Sequence, residues 1–350
     1  MQMLMKKLST TIRSQQQRPA GSLLDRPQLL VMKSGKVDQA KALLKSVDGK
    51  IGGIVRHAYT VMFAVFASVG VAFAQPQPPV PAAAPAAAPP RGPVVIRKTD
   101  VIYGRVQGSA LLADLAYIET PSPKPAIVMV FGGRWRANSR LDNNEGWERL
   151  SRWAKDGFFT MTIDHRLVDA TPAPAPYQDT MCAIRWLHAH AGELGVNEDQ
   201  IYVIGNSSGG HLAALTAMLG DNEKAFPRTG GWEKARSDVR AGIAVAAPYD
   251  LNALSWGNLW TPLSGAADTA RRQASPMAQI SSNSKPILVI HSDDDQSVPI
   301  QQAFDMVKAL EAARIPHHFV HYKDRGHVGL TDEVLQEARL FIAKLDQGTR

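Results

Sequence analysis

Ile201-Tyr202-Val203-Ile204-Gly205-Asn206-Ser207-Ser208-Gly209-Gly210-His211-Leu212-Ala213 passes from an apolar run, through a G-x-S-x-G pentapeptide, into an apolar-periodic run ending at Leu219. The first four residues predict a strand and the last run a helix. Between such elements the chain must turn so sharply that only glycine-sized neighbours fit. The serine hydroxyl is then held out above the sheet edge, the geometry of a nucleophile elbow. The pentapeptide alone recurs by chance. Its meaning depends on whether the other parts of such a site follow in fold order.

Around this stretch short apolar runs alternate with helix-like ones, the pattern of a mostly parallel α/β sheet covered by helices on both faces. Strands are predicted at Leu111–Tyr117, Ala126–Phe131, Phe158–Ile163, from Ile201, and at Gly242–Ala246, Ile287–His291 and His318–Tyr322. Helices are predicted at Trp147–Asp156, Pro176–His190, Gly209–Leu219, Gln301–Ala313 and Asp332–Leu345. Tyr249–Ser284 shows neither period and holds Trp256, Trp260 and two prolines. It reads as a short covering insertion over a site, not a large lid or a second domain.

The net charge of +7 is unevenly placed: residues 1–74 hold 11 Lys and Arg against 3 Asp and Glu, and the remainder holds 28 against 29. The body is near neutral, which argues against a nucleic-acid partner. Ala58–Ala74 is an uncharged run of 17 residues that follows Lys50 and Arg56 and closes on Ala72-Phe73-Ala74. It reads as a secretory signal peptide cleaved after Ala74, giving a periplasmic or secreted protein. The alternative is an uncleaved membrane anchor of near-minimal length. The linker, residues 75–93, is dominated by Pro and Ala, an extended spacer composition. Residues 94–350 then form one α/β domain. Cys182 is the lone cysteine, which excludes an intramolecular disulfide, and no Cys/His group has zinc-site spacing.

A serine hydroxyl needs a base to take its proton, and the base needs a third group to orient it. In this architecture the expected order is Ser, then Asp or Glu, then His. After Ser207, the apolar run Ile287–Ile290 leads through His291 into Ser292-Asp293-Asp294-Asp295-Gln296-Ser297-Val298-Pro299. This sets carboxylates at a strand's C-terminal edge, where α/β sites lie. Asp295 is the first candidate and Asp293 the second. His327, between Gly326 and Val328-Gly329 after the last predicted strand, is the candidate base. His211 follows the elbow on the wrong side for that task. Oxyanion donors are expected from the amide of Ser208 and from Phe131-Gly132-Gly133-Arg134-Trp135, where paired glycines let the backbone approach a ligand.

Taken together, these pieces resemble α/β-hydrolase-fold esterases of the carboxylesterase and acetyl- or feruloyl-esterase group. Phe131-Gly132-Gly133-Arg134-Trp135 stands where that group has His-Gly-Gly-Gly-Trp, and Asp164-His165-Arg166-Leu167 is like its Asn-Tyr-Arg-Leu. The resemblance implies Ser207 as nucleophile, Asp295 as orienting acid and His327 as general base. It also implies Gly132, Gly133 and Ser208 as oxyanion donors, and carboxylic esters, short-chain or carbohydrate-linked, as substrates, with no metal or organic cofactor. Two departures stand out. Phe131 removes a polar side chain that braces the oxyanion loop, and Arg134 replaces a glycine, which strains the backbone if φ is positive there. Arg134 is a candidate for binding an anionic substrate group, and Trp135, Trp256 and Trp260 are candidates for walling the site, with core or surface packing the equal alternative for each. A prolyl-oligopeptidase-type peptidase and a non-catalytic binding module remain the alternatives.

Overall fold

The computed structural model of the protein describes residues 94–141, 145–220 and 225–347; the expected signal peptide or anchor at 58–74 and the 75–93 linker lie outside the described residues. Eight strands form one sheet: β1 (Ile96–Val106), β2 (Ser109–Tyr117), β3 (Lys124–Val130), β4 (Phe159–Ile163), β5 (Val196–Asn206), β6 (Ala241–Val245), β7 (Ile287–Ser292) and β8 (His317–Tyr322). Their order is β1-β2-β4-β3-β5-β6-β7-β8. Only the β1–β2 and β2–β4 pairs are antiparallel. The described helices are α1 (Glu145–Lys155), α2 (Ala175–Leu194), α3 (Ser208–Leu219), α4 (Ala267–Ala274), α5 (Gln301–Ala313) and α6 (Asp332–Gln347).

The apolar runs follow from burial on both faces. In β3, Ala126, Val128 and Val130 pack with α2 and α3. Ile127 and Met129, of opposite pleat, pack with Leu150 and Trp153 of α1. In β7, Ile287 and Val289 meet α3 and α5, whereas Leu288 and Ile290 meet Val334 and Phe341 of α6. Helices therefore cover both faces.

β1 is the strand that pattern reading missed. It lies at the sheet's edge, most of its residues are partly or fully exposed, and two register shifts against β2 break its alternation. With Arg97, Lys98, Asp100 and Arg105 pointing outward it has no apolar period to detect. The covering segment, by contrast, is as short as expected: two single 3-10 turns, Gly257–Leu259 and Pro276–Gln279, flank α4. It is pinned by a bridge between Ala173 and Pro262, and by Gln302, whose Oε1 accepts from the amides of Tyr249 (2.8 Å) and Asp250 (2.7 Å).

Because β3, β5, β7 and β8 run parallel, the loops leaving Val130, Asn206, Ser292 and Tyr322 all emerge at one end of the sheet. The loop after β4 supports them. Its Arg166 donates to the fully buried Asp179 of α2 from Nε (2.9 Å), Nη2 (2.8 Å) and its own amide (2.7 Å). Removing one partner of such a pair leaves a buried charge uncompensated, at about 3–5 kcal/mol. Asp179→Asn is therefore expected to lower stability by that order in urea unfolding. The double variant Arg166→Met/Asp179→Leu should recover most of it.

Candidate active site

Ser207 sits between β5 and α3 with φ 54° and ψ −126°, a conformation L-residues seldom adopt. Its amide donates to Val245 O (2.8 Å) and its carbonyl accepts from His211 (2.9 Å), so the turn is bonded on both sides. The flanking glycines are required by close approach. A Cβ on Gly205 would lie 2.5 Å from Gly209 O; one on Gly209 would lie 2.5 Å from Phe131 O and nearer still to Val130 O.

Asp295 and His327 meet across the loops after β7 and β8. His327 Nδ1 is 2.8 Å from Asp295 Oδ2. A carboxylate only accepts, so Nδ1 carries the proton and Nε2 is left as the basic nitrogen. No hydrogen bond joins Ser207 Oγ to Nε2 in this conformation; in free hydrolases that contact is often long and tightens around substrate. Asp295 has a fully buried side chain with three hydrogen-bond donors. The amides of Ser297 (2.8 Å) and Val298 (2.9 Å) reach Oδ1 and His327 reaches Oδ2, with His291 Nε2 lying 3.3 Å from the same oxygen. Burial pushes the Asp295 carboxyl up, but His291, His327 and the two amides outweigh it and hold the group well below the usual carboxylate range.

The other two carboxylates of the acidic loop brace the loop that carries His327. Asp294 Oδ1 accepts from Gly326 N (2.7 Å) and Ser292 Oγ (2.6 Å), and Asp293 Oδ1 from Asp324 N (3.3 Å). Asp293, the second candidate acid, thus serves the loop that carries His327. His291 was not singled out from sequence. Its signal was a polar residue closing an apolar strand four positions before the acid. Its Nε2–H donates to Val298 O (2.8 Å), so it ties the acid loop to the end of β7 beside Asp295.

The turn after β3 lies against the elbow: a Cβ on Gly132 would lie 3.2 Å from Ser207 Cβ. Gly133 (φ 122°), Arg134 (56°), Trp135 (59°) and Asn138 (73°) all have positive φ, so Arg134 stands where a glycine would be unstrained. Trp135 N donates to Ser208 Oγ (3.1 Å), Asn138 Nδ2 to Gly132 O (3.1 Å), and Val168 N to Trp135 O (2.9 Å). Gly133 O accepts from Arg136 N and Ala137 N, which leaves the amides of Gly132, Gly133 and Arg134 without an acceptor within the turn. Ser208 is the first residue of α3, where amides have no intrahelical partner. Phe131 stacks on His165 (centroids 4.3 Å apart, 16° between planes), so an aromatic contact and the Asn138 bond brace the loop without a histidine at position 131.

The tryptophans differ from expectation. Trp135 and Trp260, expected as walls open to a substrate, are 0% and 1% exposed. They form a buried cluster with Trp256 and His211, with ring centroids 5.1–5.3 Å apart. A side chain with no surface cannot touch a ligand, so these two support the site from beneath. Trp256, 7% exposed, donates Nε1–H to Ser297 O (2.9 Å) and thereby joins the cluster to the acid loop. A surface groove of about 560 Å³ is lined by Pro286, Pro316, His317 and Leu340 near the N-terminal ends of β7 and β8, away from Ser207. Volume does not mark the site; converging polar groups do. Among the described residues no group of three or more His, Cys, Asp or Glu is placed to hold a metal ion, and no helix is long and apolar enough to cross a membrane.

Residues 116–310 match the BD-FAE family. The chain belongs to the BD-FAE family. Among its relatives is the esterase LipC of Mycobacterium tuberculosis, 29% identical over 240 residues, which are 62% of this chain and 56% of LipC. The chain thus spans about half the length of that relative. A truncated carbohydrate esterase from gut microbiota has a similar structure, with a TM-score of 0.62 at 21% identity over 72% of this chain and 96% of that one. So does a thermophilic esterase of Thermogutta terrifontis with propionate bound, with a TM-score of 0.60 at 24% identity over 71% and 94%. This BD-FAE chain has the α/β-hydrolase fold.

His211 supplies a pH test of the packing beneath the site. Its Nε2–H donates to Ala274 O (2.8 Å), and Nδ1 has no partner. Burial pushes the imidazole down to about 4, only partly opposed by the bond to Ala274. Below the ordinary value near 6.5 the unfolded chain binds a proton that the folded protein refuses. The contribution to stability is therefore complete above pH 6.5 and is lost as pH falls toward 4, roughly 3 kcal/mol in all. His211→Gln is expected to make the stability loss between pH 7 and 4.5 smaller by about 2 to 3 kcal/mol in urea unfolding.

Proposed function

We propose that this chain is an exported serine esterase that hydrolyses carboxylic esters through an acyl-enzyme. Ser207 attacks the ester carbonyl while His327 Nε2 takes its proton. Asp295 holds Nδ1–H and balances the imidazolium that forms. The amides of Ser208 and of the Gly132-Gly133 turn stabilise the tetrahedral oxyanion, and His327 returns the proton to the leaving alcohol. Water then resolves the acyl-enzyme by the same route. The observation that carries this reading is the 2.8 Å bond from His327 Nδ1 to a buried Asp295, at the sheet end where Ser207 stands in its elbow.

Short acyl or carbohydrate-linked esters are the proposed substrates. The short covering segment supports this range, since two 3-10 turns and one eight-residue helix are little chain with which to enclose a long lipid. The names of the relatives, an esterase and a carbohydrate esterase, accord with it. Export rests on the apolar run Ala58–Ala74 and its A-x-A ending, and the folded hydrolase domain is proposed to begin near Val94.

Initial rates on p-nitrophenyl esters of two to eight carbons test the reading. Ser207→Ala should abolish measurable turnover, and Asp295→Asn should lower kcat by about 10³- to 10⁴-fold, by analogy with the serine-protease triad. His291→Leu removes the bond that ties Val298 of the acid loop to β7 and should cost only about 3- to 10-fold. Turnover that persists in Ser207→Ala would refute the assignment.

A further inference from the structure

Three arginines lie on the turn after β3, and two are neutralised. Arg136 Nε is 2.7 and 2.8 Å from the two carboxylate oxygens of Asp169. Arg140 is buried among Asp100, Asp114 (3.0 Å) and Asp164. Arg134 has no carboxylate partner among the described residues. It is exposed, and its guanidinium carbon is 5.6 Å from the Trp256 ring centroid. Its φ of 56° imposes a backbone cost that a glycine would not.

The ends of this residue fix where the charge lies. At the backbone, Gly132 two positions earlier abuts Ser207, and the next residue, Trp135, donates to Ser208 Oγ. At the tip, Trp256 donates to Ser297 O, and the amide of Ser297 donates to Asp295 Oδ1. The side chain therefore reaches from the oxyanion turn to the wall of the acid loop, along the rim of the site. The guanidinium lies over the indole ring of Trp256, and among the described residues its N–H groups have no hydrogen-bond acceptor. A planar fork of this kind pairs with a carboxylate through two parallel bonds.

We propose that Arg134 selects esters carrying a carboxylate close to the scissile bond, on the acyl or the alcohol side. This rests on the esterase reading for its substrate class. The unpaired cation is the selecting element, and the Trp256 face sets its orientation.

Two substrate pairs test it. On the acyl side, p-nitrophenyl hemiadipate is compared with its uncharged adipamate isostere; on the alcohol side, 4-acetoxybenzoate is compared with 4-acetoxybenzamide. The readout is the anionic-to-neutral ratio of kcat/KM, corrected for spontaneous hydrolysis. Full-length protein is expected to prefer the anion by about tenfold on at least one arm. That preference should collapse toward unity in Arg134→Gln and be partly kept in Arg134→Lys. In the unsubstituted protein it should also shrink when salt rises from 50 to 500 mM. Calorimetric binding of the same pairs to Ser207→Ala reads the preference without turnover. Ratios within twofold of unity on both arms, or a preference unchanged in Arg134→Gln, overturn the proposal even if neutral esters are cleaved. Anion-selective binding without turnover of any ester would overturn the esterase reading alone.

Discussion

The contact between the start of α3 and the exit of β3 governs the rest of the site. Gly209 lies so close to the carbonyls of Val130 and Phe131 that no Cβ fits, and Gly205 has no room against Gly209 itself. Helix, strand end and elbow are thereby fixed as one unit, with Ser207 forced to φ 54°. The same closeness brings the turn beginning at Phe131 against the serine, where Ser208 Oγ takes the amide of Trp135. Ser207 and the turn after β3 are thus positioned by one packing constraint, not by two independent loops.

Charge at this end of the sheet is ordered by burial. Asp295 is dry but has three hydrogen-bond donors and the His291 ring beside it, so it remains ionised and can only accept from His327. Arg166 with Asp179, and Arg140 with three aspartates, hold the loops after β3 and β4. His165 and His211 are pushed toward neutrality by burial and serve as aromatic partners of Phe131 and the tryptophans. His327, with 32% of its side chain exposed, pairs with the buried carboxylate and keeps a surface toward solvent.

Much of this was legible in the residues because the central strands are buried on both faces and read as plain apolar runs. The elbow was legible because its glycines are demanded by contact, and Arg134 because a missing glycine in such a turn signals positive φ. β1 was not, since an exposed, bulged edge strand leaves no period. The burial of Trp135 and Trp260 was also hidden: composition places tryptophans near a site but cannot say whether they face the substrate or the core. His291 escaped because its role depends on a loop that folds back onto the strand end, a tertiary fact no local pattern encodes.

The measurement that reaches furthest is covalent labelling with an alkyl fluorophosphonate, followed by peptide mass mapping. Such a probe phosphonylates a serine activated by a neighbouring base and an oxyanion hole. A single adduct on Ser207, lost in His327→Ala, is the predicted result. An adduct on another residue, or no adduct under conditions that label a known serine esterase, would contradict the assignment of Ser207 as the activated nucleophile.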